Sequence, residues 1–395
     1  MSTNLRLREL AALFLRLGTI SFGGPAAHIA LIESEVVGKR QWITRQQFLD
    51  MLGAANLIPG PTSTEMAINV GFVRAGWIGM CVAGACFILP AALITGAFAW
   101  AYVRFGSLPQ AASVLAGIKA AVVAVIAIAI WRLGKASVKD AELSVLGGFA
   151  LAAFFLDANP IAILLGGGFA GMLIRRVSVF RANATALFLP LAGMRVPSRN
   201  VAFWKPLAAL FATASVATTV APRPSIVRIA LFFPKVGAVL YGGGYVLLAF
   251  LEQGLVQQHA WLTRQQLLDA VAIGQFTPGP VLSTATFIGY ILGGVPGAAV
   301  ATVGIFLPSF LYIALLAPVL FRLRKSPWIA AFLDSVNVCA VMLMAGVTSR
   351  LAIDALHGWP SWLVAGLSLG VLLRGKTNPA WVVLAGGLVG YWLIR

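Results

Sequence analysis

The sequence predicts an all-α polytopic membrane protein built from two homologous halves. Its 395 residues are 60% hydrophobic and 10% charged, with a mean hydropathy of +0.91, whereas soluble domains contain about 25% charged residues. A long stretch of the first half recurs in the second half at a fixed spacing. Each half also carries a Pro-Gly-Pro tripeptide, at 59–61 and 278–280, within apolar sequence. These three observations predict two related sets of membrane helices, each interrupted at one tripeptide.

The charge distribution fits a membrane protein better than a nucleic-acid-binding protein. The net charge is 29 − 12 = +17, but the basic residues fall mostly between apolar segments, as the positive-inside rule predicts for cytoplasmic loops. We therefore expect the lipid bilayer, and no nucleic acid, as a partner. Cys81, Cys86 and Cys339 lie in apolar runs without metal-ligand spacing, so no disulfide framework, metal or cofactor is expected.

The elements of the first half can be predicted in order. A helix over 5–22 ends at Phe-Gly-Gly-Pro, a second segment reaches Val37, and a basic turn follows. Thr44 and Gln47 form a capping box that opens the helix leading to the first tripeptide, and a half-helix then runs to Arg74. Apolar segments follow at about 76–103, 110–131, 140–157 and 158–174. A basic, proline-containing stretch comes next, so the predicted domains are 1–176, a linker 177–224, and 225–395.

The second half repeats the first. Residues 42–50 recur as 261–269, an offset of 261 − 42 = 219, and the same offset relates the two tripeptides and maps Glu33 onto Glu252. One residue is lost before Phe-Ile-Leu-Pro at 87–90, which aligns with 305–308. Agreement this long indicates an internal duplication. The later segments, at about 294–320, 328–350, 358–373 and 377–394, match the tail of the first half.

The loop charges favour halves inserted in opposite senses. The turn with Lys39, Arg40 and Arg45 keeps only Arg264 in the second half. The turn after the long helix has only Arg104 in the first half and three basic residues, at 322, 324 and 325, in the second. Because the basic side changes, the positive-inside rule favours inverted repeats, with a parallel repeat as the alternative. Inversion requires the linker to cross once, and residues 207–220 are apolar enough to do so.

The Pro-Gly-Pro tripeptides predict broken or re-entrant helices. Proline lacks the backbone donor and clashes with the preceding turn, so a helix cannot continue through two of them. Pro61 and Pro280 suit the first position of a following half-helix. The free N–H groups and the dipole of that half-helix favour an anion. Paired breaks in two halves of a chain point to the substrate site of a transporter.

The motifs quoted so far resemble those of the chromate ion transporter family. Phe-Gly-Gly-Pro at 22–25, the Trp-x-Thr run ending in Leu-Asp, the two Pro-Gly-Pro tripeptides and Phe-x-Leu-Pro carry the resemblance. It covers residues 10–100 and 230–320 with their flanking helices. The resemblance implies a bacterial inner-membrane protein that exports chromate and confers resistance. The second copy departs from the pattern, because Tyr241, Gly244 and Val281-Leu282 replace Phe22, Pro25 and Thr62-Ser63.

Chromate is a tetrahedral dianion, and the predicted site offers it hydrogen-bond donors between the two halves. Half-helix N-termini, hydroxyl and amide groups would donate, and glycines would let the backbone approach, although the glycines fit tight helix packing equally well. The candidate substrate-binding residues are Gly23, Gly24, Asn56, Pro59, Gly60, Pro61, Thr62, Ser63 and Thr64 in the first half, and Gly242, Gly243, Gly244, Gln275, Thr277, Pro278, Gly279, Pro280, Ser283 and Thr284 in the second.

Charged residues near the breaks have competing interpretations. Arg45, Arg264 and Lys235 would attract anions into a vestibule or gate it, or the arginines would anchor helix ends and pair with the repeated acids. Glu65 has no acidic counterpart, because 65 + 219 is Thr284. It would couple protons to transport, or it would be salt-bridged or simply neutral. His28 would titrate near neutral pH or serve only structure.

Three alternatives remain open from the sequence. The substrate would be sulfate or another small oxyanion rather than chromate. The chain would be a membrane-embedded enzyme, although no catalytic constellation is visible, or a receptor or scaffold that transports nothing. A homodimer is an open assembly state.

Overall fold

The computed structural model describes residues 3–22, 24–55, 58–106, 108–187, 224–240, 247–323, 326–375 and 377–394. All regular secondary structure within these ranges is helical. The first half contains α1 Thr3–Ile20, α2 Pro25–Glu33, α3 Arg45–Ala55, α4 Thr62–Phe105, α5 Pro109–Ser137, α6 Ala141–Phe155 and α7 Pro160–Leu187. The second half contains α8 Ile226–Val239, α9 Leu247–Leu251, α10 Arg264–Phe276, α11 Thr284–Leu323, α12 Pro327–Ala355, α13 Gly358–Leu373 and α14 Pro379–Leu393. The all-α prediction is confirmed.

The helices before and after the first tripeptide form a re-entrant hairpin. The 11 residues of α3 rise about 16 Å at about 1.5 Å per residue, half of a bilayer core of about 30 Å. The capping box at its start is confirmed, because Thr44 and Gln47 exchange side-chain-to-backbone hydrogen bonds. The guanidinium of Arg74 lies 4.8 Å from the ring centroid of Trp42, just before α3. The chain therefore enters along α3, turns at the tripeptide and returns to the same end.

A second hairpin, formed by α1 and α2, enters from that end too. Glu9 near the start of α1 accepts a hydrogen bond of 3.1 Å from Arg74. After α2, a wider π-helical turn over Ser34–Lys39 leads to the loop before α3. Glu33 lies 3.7 Å from Arg45 at the start of α3. This end of the bundle carries a cluster of cations, and we call it the basic end.

Helix α4 folds back on itself after Arg74. Ala75 and Gly76 have non-helical dihedral angles, and a Cβ atom on Gly71 would meet the carbonyl oxygen of Gly79. Residues eight apart lie about 12 Å apart in a continuous helix, so this contact requires a tight reversal. The part of α4 after the reversal is long enough to cross the bundle from the basic end to the opposite end.

The second half repeats these features and locates the missing residue. Gly293 and Gly294 reverse α11 as Ala75 and Gly76 reverse α4, an offset of 294 − 76 = 218. The tripeptides still differ by 219, so the deletion lies between the break and Gly289. There the second half opens with a 3₁₀ turn, Val281–Ser283, where the first half is already α-helical. The counterpart of Glu65 therefore depends on where the deletion is placed: an offset of 218 gives Ser283, and an offset of 219 gives Thr284.

Contacts between the halves show that the repeats are inverted. Passing along α4 away from the basic end, Ala91, Thr95, Phe98 and Tyr102 lie against Gly279, Thr277, Phe276 and Asp269 respectively. The hairpin of α10 and α11 therefore has its break in the middle of the bundle and its start at the opposite end. This is the reverse of the α3–α4 hairpin, so the prediction from loop charges is confirmed and a parallel repeat is excluded.

The remaining helices form an outer bundle. Helix α12 packs against α5, α6 and α7, and α5 packs against α13 and α14. Four helical stretches among the described residues are long and apolar enough to span a bilayer: Thr62–Phe105, Ala111–Ser137, Val281–Leu315 and Pro327–Ala355. Helix α7 extends beyond residue 176. Most of the predicted linker 177–224, including its proposed crossing at 207–220, lies outside the described residues.

Candidate functional site

Both Pro-Gly-Pro tripeptides interrupt their helices as predicted, deep inside the protein. Every residue of 59–61 and 278–280 is buried. Gly60 has φ = 152° and Gly279 has φ = 88°, backbone conformations that favour glycine over residues with a Cβ atom. We call residues 59–61 the first break and 278–280 the second break.

Each break is held by the opposite half through its central glycine. The N–H of Gly60 donates a 2.7 Å hydrogen bond to the carbonyl of Leu240, which follows α8. The N–H of Gly279 donates a 2.8 Å bond to the carbonyl of Ser21, which follows α1. Leu240 is the repeat counterpart of Ser21 (21 + 219), so the two bonds obey the internal two-fold relation. The central amides expected to be free are therefore already occupied by protein carbonyls.

Several half-helices begin around the two breaks, a region between the halves that we call the seam. Thr62 opens α4 directly after the first break, the 3₁₀ turn and α11 follow the second break, and Pro25 opens α2 beside Ser21. The first N–H groups of a helix have no acceptor within it, and its dipole places partial positive charge there. Pro61 and Pro280 occupy the N-cap position, with ψ angles of 102° and 132°. The prediction that they occupy the first helical position was wrong by one residue.

The first break is surrounded by polar groups that lack partners. Glu65 and Thr64 are 0% exposed on the first turn after the break, and Ser309 of α11 is also 0% exposed. Both carboxylate oxygens of Glu65 and the hydroxyls of the other two residues have no hydrogen-bond partner. A Cβ atom built on Gly60 would clash with the Glu65 carboxylate and with the Ser309 hydroxyl. The Glu65 carboxylate and the Ser309 hydroxyl therefore converge on the space that the glycine leaves.

The second break is surrounded by hydroxyls that bond to one another. Thr95 Oγ1 of α4 lies 3.3 Å from Thr277 Oγ1 and 3.2 Å from Ser283 Oγ. All three residues are buried. The hydroxyl of Thr277 also donates to the carbonyl of Gly274, and that of Thr284 donates to Val281. The hydroxyl cluster is thus shared between α4, α10 and the 3₁₀ turn.

His28 lies near the second break through Ser21. The ring is 1% exposed and packs edge-on against Phe87, with ring centroids 6.0 Å apart. It lies beside the backbone of Ser21, the residue whose carbonyl holds Gly279. A histidine of the first half is therefore linked to the break of the second half through the backbone of Ser21.

The predicted vestibule residues do not lie at the breaks. Arg45 is exposed at the basic end and pairs with Glu33 at 3.7 Å. Arg264 pairs with Glu252 at 3.5 Å and with Asp354 at 3.1 Å at the opposite end. Both arginines thus pair with the repeated glutamates, as the competing interpretation holds. Lys235 is exposed on α8. Gly23, Asn56, Gly242, Gly243 and Gly244 lie outside the described residues, and Gln275 is half-buried at the end of α10.

The basic end presents an open cleft of about 320 Å³, which is lined by both apolar and polar side chains beside Trp42. The guanidinium groups of Arg40 and Arg74 lie over the Trp42 ring, at 5.1 and 4.8 Å from its centroid. Glu35 accepts a 2.8 Å hydrogen bond from Lys39. That bond, together with Arg40, lowers the pKa of the Glu35 carboxyl. The cations at this end are thus paired with carboxylates: Lys39 and Arg40 with Glu35, Arg45 with Glu33, and Arg74 with Glu9.

Sequence reasoning missed one buried charged group. Lys119 of α5 lies 3.1 Å from Asp269 of α10, and their side chains are 7% and 4% exposed. The hydroxyl of Tyr102 donates a 2.8 Å bond to the same carboxylate. Asp50, the counterpart of Asp269, instead accepts from Gln46 on its own helix. A lone lysine within an apolar helix was the signal that could have found this group.

Thr95 and Ser309 were missed as well. Each comes from the half opposite to the break that it contacts, and Thr95 and Ser283 are 188 positions apart. No motif in the sequence links them. Only the inverted packing of α4 against α11 brings them to the seam.

Comparison with known proteins identifies the family. The sequence pattern described as "Chromate transporter" matches residues 8–172 and 227–391. The chain is 36% identical to a chromate transport protein of Cupriavidus metallidurans, over 98% of this chain and 94% of that protein. It is 33% identical to one of Pseudomonas aeruginosa, over 98% and 92%, and 33% identical to a probable chromate transport protein of Synechococcus elongatus, over 92% and 89%. No solved structure matches the chain. With both halves matched, the chain belongs to the chromate transporter family and is a multi-pass membrane transporter rather than an enzyme.

Proposed function

We propose that this protein exports chromate from the bacterial cytoplasm across the inner membrane. The dianion binds at the seam between the first and second breaks, near the middle of the bilayer. The observation that carries this proposal is that each of the two buried, inverted breaks is held by a backbone bond from the other half. The names of the relatives supply chromate as the substrate.

The chemistry of the seam suits a tetrahedral oxyanion. Helix N-termini supply fixed amide donors, and the hydroxyls of Thr95, Thr277 and Ser283 can rotate to donate to a ligand. Hydrogen bonds to an ionised acceptor are about twice as strong as neutral ones. Glu65 is the unfavourable element, because a carboxylate repels a dianion. Its neutralisation would couple substrate binding to a second species, with His28 as a further candidate for that coupling.

The basic end fits the cytoplasmic side. Cytoplasmic loops carry the excess of Lys and Arg, and Lys39, Arg40, Arg45 and Arg74 all lie at this end. Arg45 and the cleft beside Trp42 would form an entry vestibule that concentrates anions. Arg264 would act at the exit, where it is held by two acids. Lys235 would act as a gating residue nearer the first break, five positions before Leu240 on the chain.

Alternating access would follow from the inverted repeat. The two hairpin pairs approach the seam from opposite ends, so a small movement of one pair against the other would open one end and close the other. The outer bundle of α5–α7 and α12–α14 would serve as the frame for this movement.

A flux assay tests the proposal. The purified protein is reconstituted in vesicles with imposed pH and voltage gradients, and chromate movement is measured for the natural protein and for a variant with residues 59–61 replaced by three alanines. We expect chromate flux in the former and its loss in the latter. Gly148→Ala, on an open helix face, is the control and should transport normally. Unchanged flux in a correctly inserted triple-alanine variant would contradict the seam as the site.

Sulfate remains the second candidate substrate, because its shape and charge match those of chromate. Competition between the two anions for uptake into inverted vesicles separates these possibilities. If chromate is the substrate, an equal concentration of sulfate should leave chromate uptake largely intact. If sulfate suppresses chromate uptake at lower concentration than chromate suppresses sulfate uptake, the preference is reversed.

A further inference from the structure

The two breaks differ in the kind of polar group that they bury. At the first break the buried side-chain oxygens of Thr64, Glu65 and Ser309 have no hydrogen-bond partner. At the second break the buried hydroxyls of Thr95, Thr277 and Ser283 lie within hydrogen-bonding distance of one another. Burying a polar group without a partner is costly, so a species that pairs with these oxygens would stabilise the first break.

The first break offers oxygen ligands around a single negative charge. The Glu65 carboxylate and the Ser309 hydroxyl converge on the space above Gly60. Among the described residues, no lysine, arginine or histidine lies within ion-pair distance of Glu65. Of the titratable groups on the two helices that lead into this break, Asp50 on α3 accepts a hydrogen bond from Gln46, and Lys235 is exposed on α8.

The repeat shows that this oxygen set is specific to the first break. The offset of 218 maps Ala91 onto Ser309, so the second break has a methyl group where the first has a hydroxyl. A Cβ atom on Gly279 would meet Ala91 and the Gly18 carbonyl rather than a carboxylate. The second break thus presents hydroxyl donors without an acid at hydrogen-bond distance.

We propose that the first break binds a monovalent cation on Glu65 and Ser309, while the second break binds the transported oxyanion. Hydroxyl and carboxylate oxygens are the ligands of hard cations, and one carboxylate balances one positive charge. Half-helix C-terminal ends and unwound carbonyls coordinate cations in broken-helix transporters, and α3 and α8 both end at this break. The cation is Na⁺ held by these oxygens or a proton carried on Glu65, and either neutralises the charge that would repel the dianion. This assignment rests on the proposed function.

The test separates the cation response from chromate affinity in proteoliposomes. Chromate flux is measured against Na⁺ concentration at constant pH, and against pH without Na⁺. A response to Na⁺ at constant pH identifies Na⁺ as the ligand, and a response to pH alone identifies the proton. For Glu65→Gln we expect the loss of that response. For Ser309→Ala we expect the half-saturating cation concentration to rise about tenfold, as for loss of one hydrogen bond or ligand to a charged group. The KM for chromate should stay within about twofold in both.

Thr95→Val is the matched variant at the second break. It removes one hydroxyl without altering shape, and we expect it to raise the KM for chromate about tenfold while leaving the cation response unchanged. Thermal unfolding in detergent gives a second readout that needs no flux: Na⁺ or low pH should stabilise the natural protein and not Glu65→Gln.

Two results separate failure of this assignment from failure of the proposed function. A natural protein that moves no chromate under any gradient contradicts the proposed function itself. A natural protein that moves chromate, while Glu65→Gln keeps the full cation response, overturns the cation site. The same holds if Ser309→Ala raises the KM for chromate as much as Thr95→Val does.

Discussion

Removing one partner of the buried pair between Lys119 and Asp269 should destabilise the protein far more than removing both. The pair joins the outer bundle to the second re-entrant hairpin, and both side chains are almost fully buried. Lys119→Met leaves the Asp269 carboxylate with the Tyr102 hydroxyl as its remaining partner. Asp269→Asn leaves the Lys119 ammonium buried without a counter-charge.

The expected change in the free energy of unfolding follows from leaving one charge buried without its partner. Breaking a buried ion pair on one side costs about 3–5 kcal/mol. That cost arises because the remaining charge stays buried without its counter-charge. The double variant has no charge left at this pair and should lie within about 1 kcal/mol of the natural protein. With about 2.1 cal/mol/K of unfolding entropy per residue, a chain of 395 residues loses about 1 °C in Tm per kcal/mol.

Thermal unfolding in detergent at neutral pH measures these differences. We expect each single variant to melt about 4–5 °C below the natural protein and the double variant within about 1 °C of it. Lys139→Met is the control, because Lys139 is half exposed in its pair with Asp334 and should cost no more than about 1 kcal/mol. Single variants that melt with the natural protein, or a double variant less stable than both, would refute the reasoning.

Two further predictions concern the reversal of α4 and the inversion of the repeats. Gly79→Ala places a methyl group against the Gly71 carbonyl and should cost about 1–3 kcal/mol of stability by overpacking. Gly148→Ala, with open space around it, is the control and should leave the melting temperature unchanged. Equal melting temperatures for the two variants in thermal unfolding would contradict the reversal of α4. In a protein without its natural cysteines, single cysteines are introduced at Gly38 and at its repeat counterpart Gln257 (38 + 219). They should react with an impermeant thiol reagent from opposite sides of sealed vesicles. Labelling of both positions from the same side would contradict the inverted arrangement.

Much of the architecture could be predicted because it depends on local chemistry. Pro-Gly-Pro ends a helix in any context, the Thr44 and Gln47 box caps α3 within four residues, and the duplication is visible as one offset. The inversion was predicted from loop charges, since lysine and arginine distribution responds directly to the membrane. The 3₁₀ turn at 281–283 was missed because a single deleted residue can be placed anywhere between two matching motifs.

The polar lining of the seam could not be predicted, because it depends on contacts between the halves. Ser309 meets the first break and Thr95 meets the second, each from a helix far away in the sequence. The partner of Asp269 could not be predicted from Asp50 either, since Lys119 has no equivalent in the second half: 119 + 218 is Asn337. The internal repeat therefore predicts the course of the backbone, but it does not predict side chains such as Lys119 that occur in one half and not in the other.

The exchanged bonds at Gly60 and Gly279 have a consequence for how such a protein can be assembled. Neither repeat contains the acceptor for its own central amide, so an isolated repeat would bury an unsatisfied donor in a setting without water. Only a second repeat lying upside down beside it supplies the missing carbonyl. Insertion of two repeats in opposite orientations is thus a condition for satisfying the central amide of either break.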